Sequence, residues 1–456
     1  WTGQGGGAVA IGPYAGQTNQ GTGAVAIGTG AGFYNQGSNA IAMGFQAGWT
    51  GAGTTGQGQY AIALGSSAGY SSQGPAAVAL GYQAGQTNQQ DYAIALGYQA
   101  GQTNQQDHAI ALGSNAGQTS QGVGSIAIGY EAGLNSQIDG AIAMGYLAGS
   151  TSQGTGAVAM GNQAGQNYQE DFAIAIGFQA GETSQGSNAI ALGNQAGWTG
   201  QGDAAVALGY QAGWTGQGGG AVAIGPYAGQ TSQGIGSVAI GTGAGFYKQG
   251  FNAIAMGFQA GWTGQTDWTI ALGSQAGYMG QCQGAVALGQ EAGYMGQGTG
   301  AIALGYQAGY TGQGTGAVAL GQGAGFTGQG QYAIAMGNNA GATGQGTGAI
   351  AIGNNAGAAG QPANSIILNA GNTALNGSNT GSFYVNPIRS AESSKVLTYD
   401  PGTYEITYSD GPVGPTGAIG PIGPTGQIGY AGDKYATTCS DSITLSAVSM
   451  TVRGIS

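Results

Sequence analysis

Few side chains in this sequence can do acid–base or nucleophilic work. One histidine, His108, and two cysteines, Cys282 and Cys439, stand in 456 residues, with five Lys and Arg against sixteen Asp and Glu. General acid–base catalysis needs titratable groups converging on one reacting atom. The one adjacent carboxylate pair, Glu170-Asp171, has no basic or nucleophilic partner nearby in sequence. His108 replaces Tyr92 in a stretch written twice, YQAGQTNQQDYAIALG and YQAGQTNQQDHAIALG (82–113), so its position tolerates either ring. Asp91, Asp107, Asp139, Asp171, Asp203 and Asp267 all lie two residues before a strand pattern. Stacked carboxylates there would call for solvent or a calcium ion, and the Thr, Ser or Gly in most other copies favours a solvated turn. The many Gly-x-Gly fragments lack the strand–turn–helix context of a phosphate loop. No enzyme activity, cofactor or metal site is expected.

Composition narrows the partners. Glycine supplies 102 residues, charged residues are 5% and the net charge is −11, against averages of about 7% Gly and about 25% charged. Lys248 is the one basic residue before Arg389, so the basic footprint of a nucleic-acid binder is missing. Two cysteines make no disulfide framework. No apolar run approaches the ~20 residues of a membrane span, and no membrane insertion is expected. Trp1-Thr2-Gly3-Gln4 repeats at Trp214-Thr215-Gly216-Gln217, inside a repeat unit, which predicts further sequence before Trp1.

These residues are carried by a repeat. The glycine closing each A-[IV]-A-[ILM]-G run falls at Gly12, Gly28 and Gly44, then at Gly65 and every sixteen residues to Gly353, giving 22 copies. A five-residue insertion at Gly51–Thr55 breaks the register, and a worn copy, SIILN, ends at Asn369. The alternation has the two-residue period of a strand, and glycines at fixed positions in every copy oppose helix. A unit this short buries a core only by stacking. The spacing predicts an all-β chain: a parallel β-solenoid of 16-residue coils over 1–369, rising about 4.8 Å per coil, or roughly 105 Å in all. The aliphatics, such as Ile94 and Leu96, are expected inside the coil, and the intervening Ala95 outside, in an alanine stripe that another backbone can approach.

Each remaining column has a structural and a functional reading. A Gln stands eight residues before every anchor glycine, as at Gln89, Gln105, Gln121 and Gln137. Such a column predicts an amide ladder that fixes register, the alternative being a repeated ligand site. Phe246, Trp262, Tyr278, Tyr294, Tyr310 and Phe326 occupy six successive coils, and Trp198 and Trp214 form a shorter pair. Exposed, that row would contact sugar rings or another protein; covered, it packs under a turn or between subunits. A Thr column at Thr87, Thr103 and Thr119, interrupted by Tyr34, Asn135, Met279 and Met295, raises an ice-binding alternative.

Beyond Asn369 the pattern changes. Residues 370–410 read as a β-rich neck, containing SFYVNPI (382–388) and a hairpin, VLTYDPGTYEITYS (396–409), with Pro401-Gly402 placed for a type II turn. Over 411–434, Gly411, Gly414, Gly417, Gly420, Gly423, Gly426, Gly429 and Gly432 recur at every third position. This is the signature of a collagen triple helix, whose axis admits only glycine, and it predicts a homotrimer. Residues 435–456 read as the start of a β-prone segment.

SIAIG (125–129) and SVAIG (237–241) resemble the head repeats of YadA-like trimeric autotransporter adhesins. That resemblance covers roughly 1–369 and implies trimers of left-handed parallel β-rolls. Three alanine stripes are then expected to meet at the threefold axis. The coil is slightly longer than that family's, and neither a coiled-coil stalk nor a membrane-anchor barrel is visible. A β-roll followed by a neck and Gly-X-Y triplets also resembles fibre proteins of large DNA viruses and phages. The resemblances imply a structural, extracellular or virion-surface trimeric fibre that attaches to a host glycan or protein by multivalent contacts. A purely structural spacer or coat fibril and an ice-binding solenoid are the alternatives.

Overall fold

The structure, a computed structural model, describes residues 2–50, 56–390 and 395–410. The Gly-X-Y run with its eight glycines and the tail 435–456 lie outside the described residues. Every regular element among the described residues is a β-strand, and they divide into a unit ending at Ile388 and a second beginning at Arg389.

In the first unit most sixteen-residue copies make one coil of two three-residue strands, as in Ile94–Leu96 and Thr103–Gln105, while at Gln57, Thr327, Thr343 and Ala359 the second strand is reduced to isolated bridges. Strands one coil apart pair in parallel and in register, Ile94 opposite Ile110 and Ala95 opposite Ala111. The first sheet is a ladder of 24 such strands. It begins at Val9–Ile11 and ends at Phe383–Asn386, each paired on one side only. The second strands, where present, build a 16-stranded and a 3-stranded sheet, separated at the insertion; a bridge from Gln36 to Gln57 spans the gap. Backbone groups are satisfied between coils: the Ile94 N–H donates to Ala109 O at 2.9 Å, and the Gly97 N–H to Leu80 O at 2.9 Å.

The interior inverts the expectation for the aliphatics. Ala93, Ala95 and Ala100 are wholly buried, whereas Ile94 is 39% and Leu96 37% exposed. The same holds along the chain, where the two buried clusters consist of alanines with Ile367 as the one exception. The period of two assigns alternate residues to opposite faces but does not say which face turns inward. Space decides it. The two sheets of a coil lie so close that a Cβ on Gly101 would sit 3.2 Å from the Ala95 Cβ and 2.6 Å from Gln105 Oε1. Only methyl groups and one extended amide fit. The alanine stripe is therefore the core of each coil, and it cannot meet two other chains at a threefold axis.

The last coils take a larger residue into the core. Ile367 takes the alanine position opposite Ala351, fully buried and packed on Leu375 and Tyr384. Phe383–Asn386 pairs in parallel with Ile366–Asn369 as a further rung. The Tyr384 hydroxyl accepts the N–H groups of Asn379 at 3.0 Å and Ser378 at 3.1 Å.

The second unit contains an antiparallel hairpin, Lys395–Asp400 with Glu405–Asp410. Its turn differs from the expected type II. The left-handed residue is Tyr404, at φ 61°, and not Gly402. The Tyr404 N–H donates to Asp400 O at 2.8 Å, and the Gly402 N–H to Asp400 Oδ1 at 2.7 Å. The four residues 401–404 thus close the hairpin in one turn longer than two central residues allow.

The N–H groups of Asn379 and Ser378 favour the Tyr384 phenolate and hold its pKa down to about 8. An acid with a lowered folded pKa stabilises the fold at high pH and loses that contribution as pH falls through the folded value. The Ile367–Tyr384 plug is therefore expected to gain stability as pH rises from about 8 towards 10. Ultraviolet titration should show one phenolate forming near pH 8, absent in Tyr384→Phe.

Candidate functional site

The Gln column lies inside the coil. Gln89 Nε2 donates to Gln105 Oε1 at 3.1 Å, Gln105 to Gln121 at 3.1 Å and Gln121 to Gln137 at 3.3 Å. The same nitrogen crosses to the facing sheet, where Gln105 Nε2 reaches Ile94 O at 2.8 Å and, in the next coil, Ala109 O at 3.1 Å. One buried amide thus ties the two sheets of a coil and bonds to its successor. The carboxamides are at most 3% exposed along the described coils from Gln20 to Gln361, which leaves no edge for a ligand. The Oε1 atoms of Gln36, Gln57, Gln217, Gln233, Gln265 and Gln313 accept no bond. There the chain of amides is interrupted while the bonds to backbone carbonyls persist.

The aromatic row is half-buried and stacked. Phe246 and Trp262 lie 4.1 Å apart at 4°, Trp262 and Tyr278 6.1 Å apart at 13°. Tyr278, Tyr294, Tyr310 and Phe326 then follow at 4.9 Å intervals within 5° of parallel. Gly243 makes room for Trp262, whose ring would lie 2.5 Å from a Cβ there. From Trp262 to Tyr310 both faces of each ring rest on neighbouring rings, so these inner rings turn their edges outward and offer no free face for stacking a sugar. Burial, with smaller contributions from Tyr278 and Tyr310, raises the pKa of Tyr294. Trp198 and Trp214 stack at 5.1 Å in the same way.

Isolated polar residues are engaged locally. The turn aspartates cap the preceding coil: Asp139 Oδ1 accepts the Val123 N–H at 2.9 Å, Asp171 that of Thr155 at 2.8 Å and Asp267 that of Phe251 at 2.8 Å. Glu170 accepts from Ser187 Oγ at 2.8 Å, so the Glu170-Asp171 pair is occupied within the scaffold. His108 stacks on Tyr92 at 5.1 Å. The threonines at 87, 103 and 119 are half-buried, and their neighbours Asn88, Asn104 and Ser120 are in the left-handed region. Those residues do not form a flat two-column threonine array.

The outer face of the first sheet carries a run of exposed aliphatic side chains. Leu80 (41% exposed), Leu208 (42%) and Leu288 (46%) sit among exposed Leu, Ile and Met of one column, beside the partly exposed Val and Ile column two residues earlier. An exposed apolar stripe is the kind of surface that other proteins, membranes or ligands cover. Its signal was present in the sequence: one column is almost always alanine, and that constancy marks the side with no room. Tyr82 stacks on Tyr98, and Tyr130 on Tyr146, at the turn bordering this face; identical rings sixteen residues apart were the sign of those pairs.

Residues 329–356 match the YadA head domain repeat family model, in two copies. No curated protein and no solved structure matches the chain. The match and the solenoid together bear out the resemblance read from SIAIG and SVAIG.

The buried ladder yields a prediction. Gln121→Glu places a carboxylate among the carbonyls of Ile110 and Ser125, where burial and like polarity raise its pKa. A raised acid pKa destabilises the fold at pH 7 and ceases to do so below the unfolded value. The variant should lose about 3 kcal/mol or more at neutral pH and recover much of it near pH 4, as read by denaturant unfolding at both pH values.

Proposed function

We propose that this chain forms the rigid shaft of a homotrimeric, surface-exposed, non-enzymatic fibre that attaches to a host or other surface by multivalent contacts. The observation that carries the reading is the uncovered aliphatic face of the first sheet, running along a chain that matches YadA head repeats. Apolar columns half-exposed through coil after coil are stable in water when copies of the chain cover them. Three copies, their faces turned inward and wound with the left hand the resemblance implies, bury those columns and leave the polar turns outside. The Gly-X-Y run supports the same number, since a collagen helix takes three chains.

The shaft is long: 24 rungs at about 4.8 Å extend roughly 110 Å. Its outer turns present Gln, Asn, Ser and Thr with 5% charge overall, a surface that resists self-adhesion while offering many similar weak contacts. Repeated weak contacts on three chains add by avidity. The target is a glycan or protein of the surface reached. The second reading, a purely structural spacer, is favoured by the stacked aromatic row, whose faces are satisfied within the chain.

Light scattering on the whole chain should give three times 44.2 kDa. Leu80→Glu, Leu208→Glu and Leu320→Glu together should lower that mass towards one chain while each coil keeps its β-signal. A native mass of one chain would overturn the assembly. Intact trimers that bind no cell surface or glycan array would leave the spacer and remove attachment.

A further inference from the structure

We propose that the stacked pairs Tyr82–Tyr98 and Tyr130–Tyr146 are sites of oxidative dityrosine cross-linking, each stapling a coil covalently to the next. The rings of each pair lie 5.3 Å apart, 12° and 10° from parallel. All four are exposed, between 45% and 51%. Both pairs are flanked in their column by small residues: Ser66 and Ser114 on either side of the first, Ser114 and Asn162 on either side of the second. Inter-coil bonds such as Gln83 N–H to Ser66 O and Asn115 N–H to Tyr98 O place those neighbours. The outer face of each pair is therefore open, and each ring can turn about its side-chain torsions. Tyr294 differs. It is half-buried between Tyr278 and Tyr310, and both its faces are covered.

The chemistry balances with hydrogen peroxide and a haem peroxidase as oxidant. Each phenol loses one electron and one proton. The two phenoxyl radicals join through their ortho carbons, and the two ring hydrogens shift to oxygen to restore both phenols. Two hydrogens leave the pair, and one peroxide is reduced to two waters. The product closes a loop over residues sixteen apart in sequence, as a disulfide would. Among the described residues Cys282 is a free, exposed thiol, so thiols supply no such staple there. Coil-to-coil cohesion otherwise rests on hydrogen bonds and packing.

The test treats the full chain with peroxidase and peroxide, follows dityrosine fluorescence and maps the cross-linked peptides by mass. The expected result is links 82–98 and 130–146, each lighter by two hydrogens, forming at a rate independent of protein concentration. Tyr82→Phe with Tyr130→Phe keeps the rings and should abolish most of the signal, while Tyr294→Phe should not change it. The wild-type peptide map decides the matter even if a variant folds poorly. Absence of dityrosine, links confined to other tyrosines, or a rate that rises with protein concentration would overturn the proposal.

Discussion

Everything in this solenoid follows from how little room there is between its two sheets. A coil of sixteen residues folds as two three-residue strands, and what lies between them is a layer of methyl groups and one carboxamide. Apolar burial of Ala alone is a thin source of stability at about 25 cal/mol per Å². The amide does what a larger core cannot: it bonds across to the facing carbonyls and forward to the next coil. Each coil is thus both floor and ceiling for its neighbours, and the arrangement has no natural length.

The same narrowness sends the aliphatic residues outward. A single chain so built carries its apolar load on its surface, with alanine within and Leu, Ile, Val and Met outside. A solenoid of this kind is half of a hydrophobic core. The assembly we propose supplies the other half, and it ties folding of the shaft to association of its copies.

Much of the architecture was legible in the sequence because a repeat makes its own comparison. The sixteen-residue period gave the coil, the alternation of the A-[IV]-A-[ILM]-G run gave one strand of each copy, and an unbroken Gln column is what a buried ladder needs. What the two-residue alternation by itself could not give was the side of the sheet that turns inward, which only the constancy of the alanine column marked. Period two is symmetric between faces, and the usual preference for burying Ile and Leu over Ala pointed the wrong way; the limit set by Gly101 and Gln105 is a matter of three-dimensional clearance. The stacking that covers the faces of Tyr278, Tyr294 and Tyr310 was equally hidden, since residue type does not reveal whether a ring shows its face or its edge. In the hairpin, Pro401-Gly402 signalled a turn correctly, while the positive φ went to Tyr404 because the loop has four residues.

The central claim is that the aliphatic columns of separate chains face one another. It is tested most directly by placing a thiol on that face, Leu208→Cys, in a chain with Cys282→Ser and Cys439→Ser, and oxidising it in dilute solution. Ser184→Cys, exposed on the second-sheet strand Thr183–Gln185, serves as the comparison. The account predicts rapid disulfide-linked pairs of chains for Leu208→Cys and none for Ser184→Cys. Equal or slower linking at Leu208→Cys would contradict it.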